Sequence, residues 1–550
     1  MKKHLFRLSA LVAALALVSC AQDALDEDVV ITPDNVENTT NLTTVTLASF
    51  SGNGSRVSYP AATRAEEEEA KPGTLELVAE IANPSKAEGF NLVQGEGRYL
   101  SATSVYYNEA TETYYATYHM QGNNYNTTLK NEIGGAIQAF QVAADGTVTL
   151  LDGFRAASPS KEDYDFNHVY FDNTDQRIIV VGHNWKVPSS WTGDGEYEGK
   201  RDNTQAIIGA FDATTGKLTY SSIQTDKKAY DEAGHSLGYT DAGDANCVIR
   251  ANDGVEYSKG YSGYPQYYVA TRKGIAVVSA AEGDLFRPIL NADGSNYFVP
   301  TPGSVKFVFN NPEVGSGMDF FYLSDDYTPE EGDITAATSS EARIASFQVA
   351  TGTNDVLLGL INPSAPYTTY YDSKELDILN YEQQQILPEV VKPVDGKNAM
   401  YALSFSEYYA AMGTTGLYYK FKGNNTSKDY IGVKKFGNRP VNCVVADRCE
   451  QESGHDGFLY VANGAKLTIL HRKTMEEVAS WNVPTKDANG NDIDVAASAN
   501  YITVTKAPVN EDGSARDRYI TVAFGQEGVK VFKFCPSTLE PKTVWERDIE

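Results

Sequence analysis

The chain has 550 residues, 41% of them hydrophobic, and carries 73 acidic against 46 basic side chains for a net charge of −27. That balance excludes nucleic acid and anionic lipid headgroups as partners, because both are held by a cationic footprint. The length is ample for a large core, and 35 Tyr with 22 Phe suit half-buried strands.

Lys2, Lys3 and Arg7 flank the start of an apolar run over residues 8–18. The run is too short to span a bilayer and has the charge-then-apolar order of a secretory signal. It closes on Leu17-Val-Ser-Cys20, which resembles a bacterial lipobox. The resemblance implies that residues 1–19 are removed as a lipoprotein signal peptide and that Cys20 becomes the lipidated first residue. Asp23, Asp26, Glu27 and Asp28 follow, an acidic cluster similar to the surface-export tag of Bacteroidetes lipoproteins. The implied address is the outer membrane, lipid-anchored and facing the cell exterior, with each buried methylene contributing ~0.8 kcal/mol to the anchor. Residues 20–72 are rich in Thr, Asn, Ser and acid and end in the charge run Arg64–Gly73. They read as a tether, with short strand candidates at 45–47 and 57–59 and a candidate trimming site after Arg64.

From 73 to 550 a four-strand pattern recurs. Its clearest copy places strands over 166–172, 177–182, 206–211 and 217–222, and the last two are joined by Asp212-Ala-Thr-Thr-Gly216. Glycine supplies the positive φ that such a tight turn needs. Comparable units lie over 100–152, 165–223, 244–290, 303–361, 376–435, 439–483 and 498–546. Repetition at roughly the 40–60-residue spacing of blades predicts an all-β, seven-bladed β-propeller of four-stranded antiparallel blades. An eight-bladed count stays open, because 74–81 and 543–549 both read as outermost strands.

The Asp212–Gly216 turn resembles the third-to-fourth-strand turn of YVTN and quinoprotein-like propellers, with partial copies ending at Thr147 and Gly352. The resemblance is at blade level and implies a fold, not an activity. Quinoprotein blades carry a docking tryptophan after this turn. Tyr220 stands there instead, and the chain has only 4 Trp, so no cofactor is expected. Cys247 and Cys443 occupy equivalent places in units three and six, too far apart on a ring to bond, which leaves Cys443–Cys449 as the open pairing. No Cys/His spacing points to zinc, so free thiols and no metal are expected.

Long connections would gather on one face of a propeller. Those of units one and two carry Tyr125, Trp185, Trp191 and Tyr197, and unit five adds Tyr408 and Tyr409. Aromatic rings flanked by Asn and Asp suit sugars and other amphipathic ligands, and the bland alternative is that the rings plug their own loops. Asn167, Asn246, Asn442 and Asn500 recur at the entrances of innermost strands, with Thr103 in unit one. They either donate to a ligand or satisfy neighbouring backbone. His119 and His183 end second strands, His168 starts an innermost strand, and His235 lies in an inter-unit loop. His119, His168 and His183 are the catalytic candidates, since several propeller polysaccharide lyases use such histidines with a metal. The ~10 Å spacing of packed sheets argues that histidines on adjacent units do not meet without help from the loops.

These observations lead to the expectation of a non-catalytic cell-surface lipoprotein. It would bind a nutrient ligand (a glycan, a cofactor-like molecule or a chelated metal) on one propeller face, with an outer-membrane transporter as partner. The alternatives are a polysaccharide lyase or hydrolase using the histidines of that face, and a protein-interaction scaffold.

Overall fold

A computed structural model describes residues 42–50, 57–58, 75–84, 99–121, 135–143, 147–155, 162–172, 174–186, 204–251, 265–280, 286–290, 295–300, 305–309, 319–323, 344–349, 356–357, 400–406, 415–421, 430–436, 441–447, 458–471, 476–486, 489–492, 497–506 and 517–536. Among them the protein is all-β, and no helix is long and apolar enough to cross a membrane.

The strands form antiparallel sheets that follow one another along the chain. The first sheet starts from Tyr99–Asn108 and Thr113–Gln121, and the second from Glu162–Asp172 and Arg177–Lys186. The third starts from Ala245–Arg250 and Gln266–Thr271, and the fourth from Val305–Phe309. The fifth starts from Met400–Ser406, the sixth from Val441–Asp447 and the seventh from Tyr501–Lys506. A two-stranded hairpin, Gln224–Tyr230 with Ser236–Asp241, stands between the second and third sheets. Each expected unit falls on a sheet, but the sheets hold from three to six strands among the described residues rather than the uniform four expected. First strands of successive sheets pack together from the first sheet to the fourth, and from the fifth through the seventh back to the first, the arrangement of a β-propeller.

Second strands explain why the sheets stack face to face. In Arg177–Lys186, Ile178 and Val180 pack into a layer shared with the first sheet, while Ile179 and Val181 pack into a layer shared with the third. Successive side chains of a strand point to opposite faces, so a strand apolar at every position must be covered on both. Gln266–Thr271, Phe458–Asn463 and Arg518–Ala523 are likewise buried throughout, their polar end residues included. The core is thus divided into inter-sheet layers.

The N-terminal strand Leu75–Ile81 pairs with Val529–Phe534 and completes the seventh sheet. Ala79 and Ile81 enter the layer between the seventh and first sheets, whereas Leu75 and Leu77 face the layer between the sixth and seventh. Asn83 Nδ2 then donates to the Leu100 and Gln526 carbonyls at 2.6 and 3.3 Å, tying first sheet to seventh. Residues 543–549, the other candidate for closure, lie outside the described residues.

Part of the segment read as a tether belongs to the folded body. Leu42–Thr46 pairs with Lys217–Ser222 as the outer strand of the second sheet, and Ala48–Phe50 pairs with Gly153–Arg155 in the first. Leu47 between them is 4% exposed and donates its N–H to the Gly216 carbonyl. Gly216 has φ +69, and a Cβ there would meet Phe154 of the first sheet at 2.8 Å. The Asp212–Gly216 turn is therefore where the N-terminal segment crosses between two sheets. Residues 1–41, including Cys20, and Arg64 lie outside the described residues.

Candidate functional site

The recurrent asparagines have one shared role. Asn167 Nδ2 donates to the Ala245 carbonyl at 3.0 Å, Asn246 to Val305 at 2.8 Å, Asn442 to Ala499 at 2.9 Å and Asn500 to Ala102 at 2.7 Å. Thr103 Oγ1 does the same to Phe166 at 2.9 Å. Each side chain reaches the carbonyl that precedes its own counterpart in the next sheet. The pairing register shifts across Thr103, Asn167, Asn246 and Asn442. An extra residue at a bulge is left out of the ladder and can aim its side chain sideways. These residues latch neighbouring sheets through a backbone carbonyl, and the Asn167 and Asn442 amides also reach the side chains of Asp244 and Ser498.

The histidines separate into three environments. His168 is 1% exposed on the innermost strand of the second sheet. Its Nδ1 accepts from the Val248 N–H of the third sheet at 3.4 Å, and its ring lies edge-on to Tyr501 of the seventh, centroids 5.2 Å apart. Burial lowers its pKa to about 3, so it is neutral at ordinary pH. His235 sits in the turn of the hairpin, exposed, and pairs with Asp231 at 2.9 Å. His119 and His183 come together, ring centroids 5.9 Å apart and inclined by 68°.

That meeting corrects the expectation that histidines on adjacent sheets stay apart. The backbones keep their spacing, but both rings project into the gap over Asp165. Asp165 lies directly across the ladder from His183 and is 3% exposed. Its Oδ2 is 3.3 Å from His183 Nε2 and 3.7 Å from His119 Nδ1. The His119 Nδ1 atom is buried and makes no hydrogen bond. His183 Nδ1 is 3.1 Å from Asp244 Oδ1, and Asn167 Nδ2 donates to that same oxygen at 2.8 Å. One latch asparagine thereby holds the carboxylate that holds the histidine.

Two glycines let the backbones close around Asp165. A Cβ on Gly182 would stand 1.9 Å from the Asp165 carbonyl oxygen. One on Gly135 would stand 2.3 Å from Tyr118 O and 3.1 Å from Tyr164 O. Neither contact is with a side chain that could swing away.

Electrostatically, burial alone would push the His183 imidazole down. The Asp244 charge and the Asp165 and Asp244 hydrogen bonds outweigh it and raise the pKa well above the usual value. His183 is thus an imidazolium clasped by two carboxylates. Asp241, three residues before Asp244, is shifted to about 6 by burial, despite hydrogen bonds from the Ala206 and Gly243 N–H groups. His119, Asp165 and His183 each offer one donor atom, all within 4.8 Å of one another, a set able to hold a metal ion. No metal was expected from cysteine and histidine spacing, because the ligands come from three strands in two sheets.

Asp165 and Asp244 escaped the sequence reading. Their signal is the repeated Asp165-Phe-Asn167 and Asp244-Ala-Asn246, an acid two residues ahead of a latch. Trp185 continues the strand that carries His183, its backbone opposite Asp163 and Thr204. Its side chain lies outside what is described, as do Tyr125, Trp191, Tyr197, Tyr408 and Tyr409 entirely. Tyr220, at the place of a docking tryptophan, is buried and accepts from Asn184 Nδ2 at 3.1 Å. Cys247, Cys443 and Cys535 are buried, and Cys449, the other half of the open pairing, lies outside the described residues.

No protein-family model matches the chain, and no curated protein matches it. Among solved structures it is similar to the Myceliophteria thermophila Cps50 (Swd1) β-propeller domain, at TM-score 0.33 and 8% identity over 78% of this chain and 96% of that one. It is also similar to Saccharomyces cerevisiae Sqt1, at 0.36 and 10% over 80% and 98%. A third is BBS1N in complex with ARL6DN, at 0.39 and 8% over 81% and 96%. At this identity none of them speaks to a ligand or a reaction.

Proposed function

We propose that the protein is a lipid-anchored, outer-membrane capture protein whose seven sheets are the blades of one closed wheel. It binds a nutrient ligand (a glycan, a cofactor-like molecule or a chelated metal) without turning it over, and passes it to an outer-membrane transporter. The observation that supports this reading is the position of the His119–Asp165–His183 group. It lies near the ends of the strands Thr113–Gln121 and Arg177–Lys186, from which the connections bearing Tyr125, Trp191 and Tyr197 depart. A charged, partly accessible group at strand ends that lead into aromatic-bearing segments supplies the polar anchor that small-molecule sites combine with apolar walls. Replacing Trp185 and Trp191 together by Ala should abolish ligand retention in a glycan and chelate screen while leaving the melting temperature unchanged. Retention equal to that of the unmodified chain would sink the assignment of this face.

A second reading follows from the same pair of rings. His119 and His183 beside Asp165 have the residue types of a general acid–base pair, as in a polysaccharide lyase or hydrolase. It requires turnover of a polysaccharide that disappears in His119→Ala. Retention without product formation favours capture.

A further inference from the structure

We infer that His119, Asp165 and His183 form a binding site for one divalent transition-metal ion of the zinc class, with Asp244 as the carboxylate that orients His183. Zinc bonds to imidazole nitrogen and carboxylate oxygen are about 2.0–2.2 Å long, which places the donor atoms of a tetrahedral site roughly 3.3–3.5 Å apart. His183 Nε2 and His119 Nδ1 are 3.3 and 3.7 Å from Asp165 Oδ2, and all three donors lie within 4.8 Å of one another. The two distances to Asp165 already match, and the His119–His183 donor separation, at most 4.8 Å, has to close by no more than about 1.4 Å.

Three further features fit a metal better than a plain salt-bridge network. A metal-bound histidine almost always gives its other ring N–H to a carboxylate or carbonyl. His183 does this through Nδ1 to Asp244 Oδ1 at 3.1 Å, so an ion binding on the Asp165 side would displace the imidazolium's other proton and take Nε2. The orienting carboxylate is itself fixed, because Asn167 donates to the same oxygen at 2.8 Å. The third is His119 Nδ1, a buried nitrogen without a hydrogen bond, aimed at Asp165. Imidazole and carboxylate donors suit zinc-class ions and not calcium or magnesium, which take all-oxygen shells.

Three protein donors leave a fourth position open, the arrangement of sites that bind something further rather than merely brace the fold. The His119 side chain is 27% exposed and Asp165 5%, so the open position lies on the His119 side. An anionic oxygen donor such as a carboxylate or a deprotonated hydroxyl would complete the shell. The inference rests on the capture reading only for that last ligand, and the ion site stands without it.

The test uses the full chain after chelator treatment, titrated with Co2+ alone and then with Zn2+. One equivalent of Co2+ should bind with the visible d–d absorption of a four-coordinate ion, and Zn2+ should displace it. His119→Gln and His183→Gln should each abolish the signal, and His235→Gln should leave it unchanged. His119→Gln touches the more exposed ring, and its melting temperature reports separately whether the fold survives. Asp244→Asn should keep the stoichiometry while weakening affinity roughly 10–100-fold. Absence of Co2+ uptake by the unmodified chain, or uptake unaltered in His119→Gln, overturns the inference. Absence of Co2+ uptake by an unmodified chain that still retains a glycan or chelate in the screen would overturn the ion site alone and leave the capture reading standing.

Discussion

His168 and His183 are fifteen positions apart on paired strands of the same sheet, yet their surroundings drive them to opposite charge states. His183 is flanked by two carboxylates and is held protonated, whereas His168 has one backbone donor, a tyrosine edge and little else. The sequence showed both rings but not the acids that separate them. Asp165 and Asp244 matter through contacts between sheets, and a strand pattern does not reveal which side chains meet across a gap. His168 makes a prediction about pH. Its folded pKa of about 3 lies below the ordinary 6.5, so between those values the unfolded chain binds a proton that the folded chain refuses. Its contribution to stability is full above pH 6.5 and falls as the pH drops toward 3, by up to about 1.4 kcal/mol per pH unit. His168→Phe, which keeps a ring against Tyr501, should flatten the fall in urea midpoint between pH 7 and 4.5 relative to the unmodified chain. Parallel curves for the two proteins would show that the ring is not buried neutral.

At the level of strands and sheets, the repeated asparagine was plain in the sequence, but its purpose was not. A donor at a strand entrance serves ligand and backbone equally well until the register is known, and the register shifts at Thr103, Asn167, Asn246 and Asn442 turn it sideways. The prediction is specific to that geometry. Asn442→Asp replaces a donor facing the Ala499 carbonyl with an acceptor of the same shape. It should destabilise the fold by about 1–3 kcal/mol, the penalty for a buried carbonyl left unsatisfied, read as a lower chemical-denaturation midpoint at pH 7. If the asparagines instead served a ligand, the midpoint would hold and only retention would change. The second strands were the most legible elements. Arg177–Gly182 is apolar at alternate and intervening positions alike, which permits little except a sheet covered on both faces.

For the molecule as a whole, the repeat predicted sheets in series but left open which terminus completes the ring. Leu75–Ile81 read as an edge strand, and no pattern in it names Val529–Phe534, more than 440 residues away, as its partner. Loop-closure entropy grows only slowly with separation, so such a distant pairing costs little more than a local one. A chain beginning at residue 99 would expose the buried edge Val529–Phe534 and open two inter-sheet layers. It should lose cooperative thermal unfolding and aggregate, while a chain beginning at 75 should keep a single transition at a lower temperature. Equal melting curves for the 75- and 99-start chains would show that the N-terminal strand is dispensable. The strand Leu42–Thr46 on the outer edge of the second sheet has a further consequence for how the wheel is held. If Cys20 carries the acyl chains, the span between bilayer and body is about twenty residues rather than about fifty, since the strand Leu42–Thr46 is already moored. Fully stretched, that span reaches about 70 Å, which sets how far from the membrane the wheel can graze and which rim can tilt toward a neighbouring pore.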